Sequence, residues 1–490
     1  MSIRLAGYGA MVIRGASETP VYLAVHGGKV HFRDASALWG VRNCYTVGRI
    51  LRDREGGAGA RTIMRIGRAG EERVPYACVT METYRHFGRL GLGAVFGSKK
   101  LKALVVSGSQ TIPVADRKQY RQLCTLKQQT TVESEVMKKY HELGTSENIL
   151  PLNEMGGLPT RNLQQGRFEG AEKISGEAFA QHYLGRRVAC SHCPVGCIHL
   201  AALRQPYEDE PYFYKTSMVS YDYEPIYSLG SMLGISEVPG LLRLMDEVEV
   251  YGLDSMSTGV VLAWATEAIE KGLIPEAETA GLRLNWGDWG QYVRAVRNIV
   301  EPPSDFYRAL AGGVEQAAAV YGGADFALAW GGNEMPGYHT GPAAHIGCLV
   351  GARHSHLDNA GYSVDQKTLS KKKDTTPEEV AEILVKEEQW RQVLSSLVVC
   401  FFARGIYKPE TVLKVLEVSG MPLGTEEELR RLGRKILAEK YRFKMRENFD
   451  VSKVKVPHRF TETPAPFELA VTEDYIRRAA DHFVQQVLAE

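Results

Sequence analysis

Val21-Tyr-Leu-Ala-Val25-His26-Gly27-Gly28-Lys29-Val-His-Phe32 reads as two short β-type runs around a Gly-Gly pair. Glycine supplies the positive φ that a tight hairpin turn demands. Residues 61–66, 76–80 and 102–106 repeat this β-type composition. Beyond Pro113 the pattern turns helical. Leu241, Leu244, Met245 and Val248 recur at helical spacing, and Gly252 can take the left-handed stop. Ser257 or Thr258 is expected to cap the next helix, which runs through Lys271 to a stop at Gly272. Thr376-Pro377-Glu378-Glu379 is a capping box whose helix heads towards Cys400, and Thr425-Glu-Glu-Glu428 opens another. A β-rich head before a mainly helical body is α+β, not alternating βαβ.

The chain has 490 residues, more than one small core requires. Hydrophobic residues at 44% and charged residues at 24% exclude collagen, mucin and wholesale disorder. Fifty-nine Lys and Arg face 58 Asp and Glu, so no net field recruits nucleic acid or an anionic membrane. No apolar run reaches the roughly 18 residues of a membrane span. Met1-Ser-Ile-Arg-Leu-Ala-Gly7 lacks the apolar core of a signal peptide, so the expected address is the cytoplasm. Lys371-Lys-Lys373 reads as a solvated loop.

Eight cysteines are too sparse for a disulfide scaffold, yet three of them cluster. Cys190-Ser-His-Cys193-Pro-Val-Gly-Cys197 has C-x2-C-x3-C spacing, and Pro194 and Gly196 suit a tight loop on which three sulfurs converge. Soft thiolates select zinc or an iron–sulfur cluster. Zinc would add His192 or His199, whereas a [4Fe-4S] cluster needs a fourth, distant thiolate. Spacing alone leaves both open, together with a loop that binds no metal.

Arg89-Leu-Gly91-Leu-Gly93-Ala-Val-Phe-Gly97 misses the dinucleotide fingerprint, because its third glycine comes one residue late. It reads as a place where backbones pass closely, and its N–H groups can hold a phosphate beside Arg85 and Arg89. His339 and His345 flank Gly341-Pro342, and Arg353-His354-Ser355-His356 is expected to line a polar pocket. Glu224, in Tyr221-Asp-Tyr-Glu-Pro225, is an acid among aromatics. Desolvation there would raise its pKa, as a general acid or base requires; the alternative is a paired structural carboxylate.

Taken in order, these segments resemble the aldehyde:ferredoxin oxidoreductase family, whose members carry a tungsten bis-pterin beside a [4Fe-4S] cluster. The resemblance rests on Gly91–Lys99 with Leu101-Lys-Ala103, Leu158-Pro-Thr-Arg-Asn162 with Phe168–Glu177, and Cys190–Cys197. It continues through Tyr223–Gly230, Gly252–Gly259 and Gly332-Asn-Glu-Met-Pro-Gly337. It implies that Cys190, Cys193, Cys197 and Cys400 hold the cluster. It also implies that Arg85, His86, Glu249, Leu253 and Asp254 contact a tungsten or molybdenum bis-pterin. Glu224 and one of His354 or His356 would stand beside the metal.

The implied reaction oxidises an aldehyde to its carboxylate, with electrons passing through the cluster to ferredoxin. The alternative is a non-catalytic or split electron-transfer subunit that needs a partner chain for the complete pterin site. The implied domains are a partial β-rich cofactor-binding domain (1–112), a helical domain with the iron–sulfur motif (113–322) and a C-terminal helical domain with the fourth cysteine (323–490).

The chain departs from the family pattern in three ways. Ser395 and Val398 replace the Asp and Gly of the second pterin motif, implying weaker, neutral hydrogen bonds there. Arg243 stands where the family's inter-subunit metal ligand would sit, so no bridging metal is expected. Met1 to Gly7 aligns with the middle of the first domain. A homo-oligomeric contact or a small partner subunit is therefore expected to supply or cover its opening strands.

Overall fold

A computed structural model of the chain describes residues 1–56, 60–207, 212–421 and 424–489. It packs as two compact units. The first holds residues 1–112, 181–191 and 198–327; the second holds 113–180, 192–197 and 328–490. Residues 113–322, expected as one helical domain, are divided between them.

In the first unit β1 (Val21–His26) and β2 (Lys29–Asp34) form the expected hairpin, with His26 opposite Lys29 and Gly27 at φ +57°. With β3 (Arg61–Ile66), β4 (Val79–Met81), β5 (Arg85–His86) and β6 (Leu101–Ser107) they build a sheet ordered β2-β1-β6-β3-β4-β5. β1 and β6 are parallel, and the other neighbours are antiparallel. Alternation along β1 serves two cores. Leu23 and Val25 pack with Met64, Leu104 and Val106 on one face; Tyr22 and Ala24 pack with Ile63, Val105 and helix α1 (Cys44–Arg54) on the other.

The glycine-rich segment opens α2 (Leu92–Ser98). Gly91 has φ +70°, and a Cβ there would lie 1.9 Å from the Pro75 carbonyl oxygen; at Gly97 it would lie 1.8 Å from that of Gly70. These glycines let α2 press onto the backbone of residues 70–78.

A second, three-stranded antiparallel sheet departs from the expected helical run: β7 (Leu184–Val188), β8 (Ile198–Pro206) and β9 (Tyr214–Tyr221). β7 is largely exposed, so it has no apolar alternation to read. The chain then enters α3 (Tyr223–Leu229) and α4 (Val238–Tyr251), which stops at Gly252 with φ +74° as its spacing predicts. Next comes α5 (Ser255–Glu270). Its cap is Asp254 rather than Ser257 or Thr258, because the Asp254 carboxylate accepts the Met256 N–H at 3.2 Å.

In the second unit the helices Pro377–Ser396 and Glu426–Arg446 both begin at the expected capping boxes. The first stops four residues before Cys400, where Val398 takes φ +58°. The two larger sheets lie within residues 21–107 and 184–221 and helices dominate elsewhere, so the fold is α+β. Among the described residues no helix is long and apolar enough to cross a membrane.

Candidate functional site

The first unit gathers a polar cluster where β5, the α4–α5 corner and the start of α3 meet. Two backbone bonds fix the corner: Cys78 N–H donates to Gly252 O at 2.7 Å, and Asp254 N–H to Tyr76 O at 3.0 Å. Gly67 permits this approach, since a Cβ there would sit 2.2 Å from Tyr251 O. The last turn of α4 thereby delivers Glu249, and the corner itself delivers Leu253 and Asp254. On β5, Arg85 and His86 are set by pairing with Met81 and Thr80.

His86 Nε2 lies 2.9 Å from Glu249 Oε2. Burial alone would lower the imidazole's pKa, but the Glu249 charge and hydrogen bond outweigh it and hold the value above the ordinary one. The Tyr45 hydroxyl donates to the same carboxylate oxygen at 3.3 Å. Burial, then Glu249, pushes its pKa well up. Arg89 Nε donates to Asp254 Oδ2 at 2.7 Å, and its Nη2 reaches Ser257 Oγ at 2.9 Å. Ser257 Oγ in turn donates to Asp254 Oδ2 at 2.7 Å. Asp254 thus caps α5 and anchors a guanidinium. Leu253, the residue before it, is buried.

Asp222 occupies the N-cap position of α3, yet its side chain makes no capping bond. Its Oδ1 is buried and has no hydrogen-bond partner among the described residues. Burial, reinforced by Glu224, raises this acid to about 7; Arg85 and His86 oppose the shift and Glu249 adds to it. The structure therefore brings Arg85, His86, Glu249 and Glu224 into one electrostatic neighbourhood and adds Asp222, Tyr45, Arg89 and Ser257. Arg85 is exposed and Glu224 half-buried. A buried acceptor without a protein partner beside an exposed guanidinium fits a polar, hydrogen-bonding group such as a pterin. Sequence reasoning missed Asp222, because an aspartate at a helix start ordinarily caps it.

In the second unit the helix Glu135–Glu142 touches two cysteine-bearing segments. His141 Nδ1 lies 2.6 Å from Val195 O, in the Cys193–Cys197 loop. Tyr140 stacks on Phe402 at 4.4 Å, two residues beyond Cys400, and Cys400 contributes to the raised pKa of the Tyr140 hydroxyl after burial. In this unit Cys193 and Cys197 are half-buried and Cys400 is exposed; Cys190, also exposed, belongs to the first unit. The four thiols match a cubane cluster in number and softness. Among the described residues no three His, Cys, Asp or Glu side chains are drawn together as a metal-holding group.

His354 and His356 also lie in this unit, and both are buried. His354 Nδ1 faces Cys348 O at 3.1 Å, and its Nε2 faces Lys444 Nζ at 3.2 Å. Burial and then Lys444 lower its pKa to about 4, so the ring is neutral: it donates from Nδ1 and accepts the lysine proton at Nε2. His356 opens the short helix His356–Asn359, its ring 5.1 Å from that of Tyr338. His339 and His345 bond to each other at 3.0 Å in the core.

A family model described as "Aldehyde ferredoxin oxidoreductase, N-terminal domain" matches residues 1–108, and one described as "Aldehyde ferredoxin oxidoreductase, domains 2 & 3" matches residues 122–485. The tungsten-containing aldehyde ferredoxin oxidoreductase of Thermococcus kodakarensis is 32% identical over 478 residues, covering 95% of this chain and 76% of the relative. A Pyrococcus furiosus protein, "Aliphatic sulfonate oxidoreductase, WOR-like subunit", is 30% identical over 319 residues, covering 61% of this chain and 49% of its own. Among solved structures, the active site complex BamBC of benzoyl coenzyme A reductase with 1,5 dienoyl-CoA superposes with a TM-score of 0.79. That match covers 99% of this chain and 79% of the other, and its 20% identity speaks to fold alone.

Proposed function

Because the chain belongs to the aldehyde ferredoxin oxidoreductase family and is an oxidoreductase, we propose that it oxidises an aldehyde to the carboxylate at a tungsten or molybdenum bis-pterin, with electrons leaving through a [4Fe-4S] cluster to ferredoxin. The observation that carries this reading is the polar cluster of Arg85, His86, Glu249, Glu224 and Asp222, which pairs cations with acceptors and a proton-transfer group. When bound, the metal–pterin accepts the two electrons of the oxidation.

The chain's own residues orient, neutralise and move protons around that group. Arg85 and Arg89 offer guanidiniums to anionic parts of a pterin, and Asp254 and Ser257 hold Arg89 in place. Glu249 fixes the His86 ring, while Leu253 walls the corner with apolar surface. Water supplies the added oxygen, and Glu224 takes one of the three protons released as the aldehyde becomes carboxylate and two electrons leave. One of His354 or His356 would serve as a second proton-transfer group. Cys190, Cys193, Cys197 and Cys400 would hold the cluster. We place the reaction in the cytoplasm, with the chain working as a homo-oligomer or beside a small partner subunit.

The test is aldehyde-dependent reduction of a viologen dye, and then of ferredoxin, by chain produced in a tungsten-replete anaerobe. Reduction by both acceptors supports the reading. A chain that holds iron but no pterin or tungsten, and reduces neither, would act only as an electron-transfer subunit.

A further inference from the structure

An aspartate at a helix N-cap normally accepts the N–H of the second or third helical residue. Asp222 has the position but gives up the bond. Its Oδ1 is instead buried and meets no protein donor among the described residues. An ionised oxygen there would lose its hydration with nothing in the protein to replace it, whereas a protonated one carries no charge to strand. The groups that face Asp222 come from three elements: Glu224 on its own helix, Arg85 and His86 on β5, and Glu249 on α4. Two carboxylates, Glu224 and Glu249, therefore share the neighbourhood, and like charges this close do not all ionise together.

We propose that Asp222 is a positioning residue for Glu224: the two carboxyls hold one proton between them, Asp222 carries it, and Glu224 is thereby kept ionised and ready to accept a proton from substrate. The inference rests on the reading of the polar cluster given above and gives Asp222, a member of that cluster, a role of its own. The raised titration of Asp222, to about 7, agrees with the geometry.

The experiment is an infrared titration of the purified chain from about pH 6 to about pH 8, with wild type, Asp222→Asn and Glu224→Gln compared. Burial raises Asp365 to about 7 and Glu388 to about 8 as well, so the spectra are read as differences: wild type minus Asp222→Asn should show a protonated-carboxyl band that fades as pH rises. Glu224→Gln should keep the band but lose it at lower pH, because the neighbouring charge that helps retain the proton is gone. In dye reduction, Asp222→Asn should lose less activity than Glu224→Gln. A merely structural aspartate would move none of these.

A wild-type-minus-Asp222→Asn difference without such a band, or a Glu224→Gln chain whose spectrum titrates as the wild type's does, overturns the proposal. The second comparison stays decisive if Asp222→Asn is not recovered. Tungsten and pterin content, measured on the same samples, separates failure of this proposal from failure of the enzyme reading.

Discussion

His86 and Glu249 are hydrogen-bonded at 2.9 Å although one lies on a two-residue strand and the other on the last turn of a helix 163 positions away. The pair ties β5 to α4. It makes the stability of the first unit depend on pH in a definite direction.

The folded-state pKa of His86 is raised above its unfolded value, through Glu249 acting against burial. The stabilisation is therefore fully present below the unfolded value near ~6.5 and is lost as pH rises through the folded one. Glu249→Gln should cost roughly 1.5–3 kcal/mol at the acid end, the range for a hydrogen bond to a charged group, and much less at the alkaline end. Denaturant midpoints of wild type and variant across pH measure it. A gap that widens as pH rises would contradict the assignment.

Holding the cofactor and doing the chemistry should separate on mutation. Asp254→Ala removes the α5 cap and the anchor of Arg89, so pterin and tungsten should be lost together. Glu224→Gln should keep both and lose aldehyde-dependent dye reduction by roughly 10²–10⁴-fold, as for a positioned acid or base. Metal analysis alongside the assay tells the two apart.

The parts of this architecture that short-range chemistry sets could be read in advance. The capping boxes at Thr376 and Thr425, the Gly252 stop and the Gly27 turn each need only a few neighbouring residues, and each stands where its residues indicate. Asp254 was read as a pterin residue but not as a cap, because two hydroxyl residues downstream competed for that place and only the α4–α5 corner decides among them. The β7–β9 sheet was hidden by an exposed first strand. Asp222 could not be picked out, since an N-cap aspartate ordinarily caps. Its failure to do so appears only once β5 and α4 surround it.

Lys102 and Glu71 are both fully buried and form an ion pair beneath the first sheet, with Arg68 donating to the same carboxylate at 3.1 Å. Removing Lys102 leaves the buried Glu71 carboxylate with Arg68 as its remaining cation. Lys102→Met should therefore destabilise the first unit by less than the roughly 3–5 kcal/mol of a fully broken buried pair, whereas adding Glu71→Leu should recover part of that loss. Chemical denaturation of the single and double variants checks it; an additive double variant would contradict the pairing.

Most direct for the central claim is the composition of the chain purified without oxygen from a tungsten-replete host. The account predicts about four irons per chain, one thiolate to each, with iron falling in Cys400→Ala as it does in Cys190→Ala, together with tungsten or molybdenum and pterin that vanish in Asp254→Ala. Stoichiometric zinc without iron, or iron unaccompanied by any pterin or metal of that group, would contradict it.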